Sequence, residues 1–416
     1  MLQLAKQLAR RSVPFAILGV VSLIMPLAVS GQIIISEFRH RGPNGVNDEF
    51  IELYNNSGAD HTVAGAGSGY GVATSDGVTR CTVPNGTVIP NRGHYLCVNS
   101  IGYSLASYPA GNGTTATGDA TFATDMPDNI GIAIFNNNSG GANYSLANRL
   151  DAVGATTEAD PVYKEGTGYS ALTLLGGAFY NYSFYRDNCG KGGSITTLGN
   201  CPISTPKDTN DNAADLIFVD PNGTSAGAGQ RLGSPGPENL SSPIQRNASF
   251  STNLLDVTVA AGNPPNRVRD FTPDGANNSS QGTIEFRRRF VNNTGGDVTR
   301  LRFRIIDQTT FPAPAGFADL RARTSSSVVV AVINDSATCA ATGAPTTPPC
   351  SATVQGTTLE TPPAQLNGGA FNGSFSAGTV TLGTPLANGA SINIRLLFGI
   401  QQTGTFKFFF NIEALP

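Results

Sequence analysis

The chain has 416 residues, of which 39% are hydrophobic and 13% are charged, and it contains 49 glycines and 26 prolines. This hydrophobic fraction is large enough to form real cores, which argues against an intrinsically disordered protein. The formal net charge of −3 at pH 7 argues against a strongly basic nucleic-acid-binding protein. The length predicts two domains of ordinary size.

The first residues have the pattern of a secretion signal. A basic start that ends at Arg11 precedes an apolar run over Val13–Val29, and small residues follow it. The run has 17 residues and contains two prolines, which is short and interrupted for a membrane span of roughly 20 residues. The sequence therefore predicts a signal peptide over residues 1–31. The mature chain is expected to be secreted or at the cell surface, without a stable membrane span; an uncleaved anchor is the alternative.

Six cysteines agree with export, because disulfides persist in oxidising compartments. They occur as three close pairs without the C-x-x-C spacing of zinc sites. Six cysteines allow 15 connectivities, and we expect local pairing because short loops close at the smallest entropic cost. The expected disulfides join Cys81 to Cys97, Cys189 to Cys201 and Cys339 to Cys350.

The rhythm of apolar residues predicts an all-β fold. Alternating runs recur every 8 to 15 positions with Gly, Asn or Pro between them, and no long helical period is present after the signal segment. The proline-rich residues 227–245 lack this rhythm and are predicted to be a linker. We therefore expect two β-sandwich domains, over residues 32–226 and 246–416.

The segment from Ile33 to Asn55 predicts the first β-hairpin. Two alternating strands flank Gly42–Gly45, where proline and glycine favour a reversal. Strict alternation places Ile33, Ile35 and Glu37 on one face of the first strand. Both strands are expected to be mostly buried.

This segment resembles the opening of a lamin tail domain. The resemblance rests on Ile35–Phe38 and Asp48–Asn55 and extends to about residue 240. It implies an immunoglobulin-like sandwich for the first domain. An insertion over Ser107–Asp125 and the absence of tryptophan depart from the family. The resemblance also suggests a turn into a central strand over Thr87–Leu96, a pair of strands at Asn129–Phe135 and Leu150–Gly154, and a late strand at Tyr182–Arg186.

The second domain is not assigned to a family by its sequence, but it contains a distinctive arginine pattern. Ile284–Val291 and Val298–Ile306 are predicted to pair as a hairpin across a glycine-containing loop. Aligning their apolar faces would place five arginines on one side, as candidates for binding an anion or a partner. The alternative is that the arginine stems only cover the sheet. The five residues are Arg287, Arg289, Arg300, Arg302 and Arg304.

Charge is unevenly divided between the predicted domains. Residues 32–245 contain 10 Lys and Arg against 19 Asp and Glu, whereas residues 246–416 contain 13 against 10. This asymmetry suggests a homo-oligomer in which the acidic first domain of one copy contacts the arginine face of another. A protein or a cell-surface polymer is the expected partner, and nucleic acid is not.

One segment of the sequence suggests a calcium site, and calcium is the cofactor that the sequence suggests. Asp208, Asn210 and Asn212 follow the D-x-N-x-N pattern of an oxygen-ligand loop. Ala213 stands where such a loop has glycine, and no glutamate closes it. A turn held by side-chain caps is the alternative interpretation.

No sequence pattern supports catalysis. Gly223–Gly227 matches G-x-S-x-G, but that motif requires a downstream histidine, and all three histidines lie upstream. We therefore predict an exported, non-catalytic interaction or structural module. The alternatives are a binding domain that accompanies a hydrolase or nuclease, and a glycan- or anion-binding protein.

Overall fold

The computed structural model describes residues 33–172, 182–186, 206–219, 235–310, 313, 315–360, 374–381 and 383–416. These residues form 25 strands and three short α-helices, which confirms the all-β prediction. No helix among them is long and apolar enough to cross a membrane. The predicted signal peptide, the Gly223–Gly227 motif and the predicted pair Cys189 and Cys201 lie outside the described residues.

The strands up to Val219 form the first domain. They are β1 (Ile33–Arg39), β2 (Phe50–Asn55), β3 (His61–Thr62), β4 (Gly69–Thr74), β5 (Thr79–Pro84), β6 (Val88–Ile89), β7 (His94–Asn99), β8 (Ala120–Phe122), β9 (Ile132–Phe135), β10 (Arg149–Val153), β11 (Ser183–Arg186) and β12 (Leu216–Val219). Helix α1 (Asn212–Asp215) precedes β12, and 3-10 turns occupy Gly141–Asn143 and Pro161–Tyr163. The order is β12-β11-β1-β2-β7-β8 in one sheet and β10-β9-β4-β5 in the other, while β3 pairs with β6.

The two larger sheets of this domain pack on a shared core. Ile35 and Leu53 come from the six-stranded sheet, and Val72 and Ile134 come from the four-stranded sheet. The Cys81–Cys97 disulfide joins β5 to β7 and so links the two sheets through this core. This is a β-sandwich, and the predicted local pairing of these two cysteines is confirmed.

The opening hairpin forms with one change in side-chain direction. β1 and β2 pair antiparallel, but their register shifts between Ile35 and Glu37. This β-bulge at Ser36 breaks the alternation, because two residues of one strand then oppose one residue of the other. Ile35 and Phe38 therefore both enter the core, and Glu37 lies on the outer face. The prediction that Ile35 and Glu37 share a face is wrong.

The second domain contains the remaining strands. They are β13 (Ile244–Gln245), β14 (Phe250–Leu254), β15 (Arg267–Asp270), β16 (Thr283–Asn292), β17 (Arg300–Gln308), β18 (Asp319–Arg323), β19 (Val328–Ile333), β20 (Gly343–Ala344), β21 (Cys350–Gly356), β22 (Thr358–Leu359), β23 (Ser374–Ser376), β24 (Ser391–Gln402) and β25 (Phe408–Leu415). Its helices are α2 (Ser336–Thr342) and α3 (Gly378–Thr381), with 3-10 turns at Asn247–Ser249 and Gly275–Asn277. One sheet has the order β13-β25-β17-β23-β22; the other follows β14-β16-β24-β21-β19, with β15, β18 and β20 at its sides.

Local signals explain part of this domain. Asp335 precedes α2 and its carboxylate accepts a hydrogen bond from Thr338 N at 2.8 Å, which caps the helix. The Cys339–Cys350 disulfide joins α2 to β21, as the local pairing predicts.

The predicted hairpin between β16 and β17 is wrong, although both strands exist. β16 pairs with β14, β15 and β24, whereas β17 pairs with β23 and β25 in the opposite sheet. The apolar stripes of the two strands meet across the sandwich, where the rings of Phe290 and Phe303 lie 4.8 Å apart. Because these faces point toward each other, the polar faces of the two strands point in opposite directions.

The described part of the predicted linker is not a free connection. Nearly all of residues 235–245 are buried, and β13 pairs with β25 in the second domain. The Tyr54 hydroxyl of the first domain donates to Gln245 Oε1 at 2.9 Å, and the Tyr185 hydroxyl donates to Ile306 O at 3.0 Å. The segment is therefore part of a contact between the two domains.

Removing the disulfide between the first two sheets should destabilise the protein. The loop between Cys81 and Cys97 spans 16 residues, for which chain entropy predicts about 3 kcal/mol. We expect the Cys81→Ala/Cys97→Ala variant to lose about this free energy of unfolding in urea without reductant. Cys339→Ala/Cys350→Ala provides the control that keeps the first domain linked. An unchanged urea midpoint in the first variant contradicts the assignment.

Candidate functional site

The most unusual chemistry lies where the two domains meet. On this side of the six-stranded sheet, β1, β2 and β7 present Glu37, Glu52 and His94, which are at most 2% exposed. Antiparallel sheets often keep one polar face in water. Here the second domain covers that face, so its charged groups need partners inside the protein.

The second domain supplies these partners by strand alternation. Leu301, Phe303 and Ile305 of β17 belong to the core, which turns the intervening arginines toward the first domain. On β25, Glu413 lies between two core residues and points the same way. Arg302 and Glu413 are directly opposite each other in the β17–β25 pair.

Eight side chains from both domains and the connecting segment form what we call the junction cluster. Two are arginines, five are glutamates and one is a histidine. The members are Glu37, Glu52, His94, Glu238, Arg302, Arg304, Glu360 and Glu413.

Arg304 contacts the most carboxyl groups in this cluster. Its Nη1 lies 3.2 Å from Glu238 Oε2, and its Nε lies 3.7 Å from Glu413 Oε1. Its Nη2 lies 3.7 Å from Glu37 Oε2 and 3.8 Å from Glu52 Oε2. A single guanidinium group therefore contacts both domains and the segment between them.

Arg302 makes shorter ion pairs beside it. Its Nη1 lies 2.6 Å from Glu238 Oε1 and 2.8 Å from Glu413 Oε2. Its Nε lies 2.8 Å from Glu360 Oε2, and its Nη2 donates to Pro109 O of the first domain at 3.1 Å. Charge-assisted hydrogen bonds of this length are among the stronger ones in proteins.

His94 and Glu52 complete the contact from the first domain. His94 Nδ1 lies 3.2 Å from Glu238 Oε2, and Nε2 lies 3.8 Å from Glu52 Oε1. The Ser36 hydroxyl donates to Glu52 Oε1 at 2.6 Å, and Glu238 N donates to Glu52 Oε2 at 2.6 Å. The segment that follows Pro237 is thereby held on β2 of the first domain.

Burial shifts the pKa of several of these carboxyl groups. Burial and the neighbouring charge of Glu52 raise the pKa of Glu37 well above its usual value. Burial and the charge of Glu238 likewise raise the pKa of Glu413. Burial opposes ionisation of Glu238 as well, but the charge of Arg304 holds its pKa below the usual value. The interaction between the two carboxyl groups raises the pKa of Glu413 further and lowers that of Glu238.

The space inside the junction cluster is very small. A cavity of about 20 Å³ lies among Ser36, Glu37, Glu52 and Arg304. That volume holds about one water molecule, whereas ligand pockets usually have roughly 300 to 1,000 Å³. The arrangement thus joins the two domains and leaves no room for a substrate.

A larger cleft opens beside the cluster, again between the domains. Its volume is about 450 Å³, which lies in the usual range for small ligands. Six of the lining residues are serine or threonine, and Arg300 and Glu360 supply charge. The lining residues are Ser107, Pro109, Gly111, Gly113, Thr114, Thr115, Arg300, Thr358, Glu360, Ser376, Gly378 and Thr381.

Arg300 is the basic residue among those that line this interdomain cleft. It is half-buried, and within the described part of the chain its guanidinium group has no hydrogen bond or ion pair. An added Cβ at Gly113 would lie 3.6 Å from Arg300 Nη2, so the group reaches across to the first domain. Glu360 is engaged by Arg302 and by the Ser376 hydroxyl.

The five predicted arginines therefore do not form one ladder. Arg302 and Arg304 are buried in the junction cluster, and Arg300 is at its rim. On the far sheet, Arg287 pairs with Glu285, and Arg289 Nε donates to the Thr338 hydroxyl at 3.1 Å. Part of the charge difference between the domains is compensated within one chain, where Arg304 contacts Glu37 and Glu52 of the first domain. The predicted contact between copies stays a prediction.

The predicted calcium loop does not gather its three ligands. Asn212 is fully buried, and its Oδ1 accepts hydrogen bonds from Gly154 N at 2.9 Å and Glu165 N at 3.0 Å. Asn210 adopts a positive φ of 59°, as in a turn. Asp208 alone points toward other carboxyl groups. The loop is a capped turn, since Asp211 accepts from Ala213 N at 3.3 Å.

Sequence reasoning missed three members of the junction cluster that matter most. Glu238 lies inside the predicted linker, and no local pattern marks it as buried. His94 follows a turn and resembles a surface residue. Glu413 does carry a signal, because it lies between Ile412 and Ala414 in an alternating strand and so must face away from the core.

No protein-family model, curated protein or solved structure matches the chain. The lamin tail resemblance and the immunoglobulin-like arrangement of the first domain therefore stay predictions.

Removing the central guanidinium should loosen the domain contact. In Arg304→Met, buried carboxyl groups from both domains lose their shared cation, and breaking such contacts typically costs about 3 to 5 kcal/mol. We expect a loss of this size in urea unfolding, together with faster tryptic cleavage after Arg246. Arg300→Met, on the same strand and face, should change stability by less than about 0.5 kcal/mol. Equal stability of the two variants contradicts the assignment.

The junction cluster should also make stability depend on pH. A raised folded-state pKa of Glu413 contributes stability that is complete below the usual carboxyl pKa of 4.5 and is lost as pH rises through the folded-state value. The melting temperature of Glu413→Gln should therefore fall less as the pH rises above 4.5 than that of the parent. Glu158→Gln is the control, because the lowered pKa of Glu158 keeps that group ionised throughout this range. A parent-like slope in Glu413→Gln rules out this role.

Proposed function

We propose that this chain is an exported, non-catalytic binding protein of the cell surface or extracellular matrix, and that its interdomain cleft binds an acidic polysaccharide. The observation that carries the proposal is the Arg300 guanidinium, which has no partner among the described residues, in a cleft of about 450 Å³ that both domains line. Anion binding by Arg300 is one of the possibilities that the sequence suggests. Of the five predicted arginines, Arg300 combines partial exposure with a cavity of ligand size.

The composition of the cleft favours a hydroxylated, negatively charged ligand. Arg300 can pair with a carboxylate through two parallel hydrogen bonds. Six serine and threonine hydroxyls line the walls and can donate to or accept from ring hydroxyls. Gly113 leaves room for a sugar ring to approach the backbone, because an added Cβ there would meet only Arg300 Nη2, at 3.6 Å.

One wall of the cleft comes from the segment that departs most from the lamin tail pattern. Ser107, Gly113 and Thr115 all belong to the insertion over Ser107–Asp125. Loops carried on a rigid scaffold are a common place for binding sites. We therefore propose that a lamin-tail-like sandwich supplies the scaffold and that its insertion supplies specificity.

Two further features support export and a non-catalytic role. The signal-like N-terminus and the Cys81–Cys97 and Cys339–Cys350 disulfides fit an oxidising compartment. The carboxyl groups of the junction cluster resemble the acid pairs of glycosidases, but their cavity of about 20 Å³ cannot admit a sugar. A binding role therefore explains the geometry better than hydrolysis.

Binding can be measured on the mature chain with polygalacturonate, using uncharged dextran as the comparison ligand. We expect saturable binding to polygalacturonate, about tenfold weaker in Arg300→Ala because a charged hydrogen bond is worth about 1.5 to 3 kcal/mol. Arg269→Ala removes another half-buried arginine, which lies on β15 outside the cleft and donates to Thr283 O at 2.9 Å, and this variant should bind like the parent. Equal binding of Arg300→Ala and the parent, or equal binding to dextran, contradicts the proposal.

A further inference from the structure

Three carboxyl groups from distant parts of the first domain converge away from the junction cluster. Asp151 lies on β10, Glu165 follows the 3-10 turn at Pro161–Tyr163, and Asp208 precedes α1. One carboxylate oxygen of each lies within 4.8 Å of the other two. Calcium binds oxygen at about 2.3 to 2.6 Å, so oxygens that share one ion lie at most about 5 Å apart.

Glu165 gives this cluster a second feature that points to a ligand. Its side chain is only 5% exposed, and Oε1 accepts a hydrogen bond from Arg149 Nη2 at 3.2 Å. Within the described residues, Oε2 is buried without any hydrogen-bond partner. An unsatisfied buried carboxylate oxygen is costly, and a metal ion at the centre of the cluster would satisfy it.

We propose that Asp151, Glu165 and Asp208 bind one calcium ion. The ion would tie together β10, the loop after the 3-10 turn and the segment that leads into β12. Asn212 also joins these three pieces of chain, because its N–H donates to Glu165 O at 3.0 Å and its Nδ2 donates to Ala152 O at 2.8 Å. The site shares only Asp208 with the loop that the D-x-N-x-N pattern suggested.

The neighbouring arginine does not complete this site. Arg186 Nη2 lies 2.6 Å from Asp151 Oδ1, and its Nη1 lies 3.3 Å from Asp208 Oδ1 and 3.4 Å from Asp215 Oδ2. One positive charge is thus shared by three carboxylates, while Glu165 lies outside this set of ion pairs. Arg186 orients Asp151 and Asp208, and Asp151 Oδ2 also accepts a hydrogen bond from Ile35 N at 2.6 Å.

The test uses the mature chain after treatment with a chelator. Adding millimolar CaCl2 should raise the melting temperature by about 2 °C or more, because a ligand that binds only the folded state stabilises it. Calorimetric titration should give one ion per chain. NaCl at matched ionic strength should not reproduce the shift.

Two variants and one control assign the effect to the cluster. Asp208→Asn and Glu165→Gln should each abolish most of the shift and weaken calcium binding at least about tenfold. Asp211→Asn removes a carboxylate from the same loop but keeps a helix-capping side chain, so it should respond like the parent. No calcium effect on the parent, a shift reproduced by NaCl, or a full shift in both cluster variants overturns the proposal. This result is independent of polysaccharide binding at Arg300.

Discussion

The relative placement of the two domains depends on the buried guanidinium of Arg304. Its four carboxyl neighbours come from β1, β2, β25 and the connecting segment. A buried arginine is tolerated only where such partners surround it. An apolar interface tolerates small rotations, whereas any rotation of one domain against the other would change the distances from Arg304 to these four carboxyl groups. The charges thus specify geometry more than they add net stability.

The same contact explains the sequence pattern of the first sheet. β1 and β2 are buried on both faces, although antiparallel sandwiches usually leave one face in water. Their inner faces build a core, and their outer faces carry glutamates that the second domain neutralises. Burial of these strands was predictable from the apolar residues of Ile33–Asn55. The part of the chain that covers their outer faces was not predictable, because it comes from residues more than 180 positions away.

An alternating apolar pattern predicts the faces of a strand but not the strands that pair with it. A period of two fixes which residues share a face, and it correctly located β16 and β17 and the apolar side of each. It does not say which strand lies alongside, so the two strands looked like a hairpin although they belong to opposite sheets. The bulge at Ser36 and the convergence of Asp151 with Asp208 likewise depend on contacts between distant residues. The two described disulfides were easier to predict, because the short sequence separation alone favours pairing Cys81 with Cys97 and Cys339 with Cys350.

The three arginines of β17 also show how one strand can serve two purposes. Arg302, Arg304 and Arg300 share a face, but the first two are enclosed by the junction cluster and the third reaches its rim. Arg302 holds Glu360, which lines the interdomain cleft, and donates to Pro109 in the insertion that forms the opposite wall. The distance between the walls is therefore set by the same ion pairs that fix the domains. A cleft built in this way is preorganised, so ligand binding requires little further ordering of the surrounding residues.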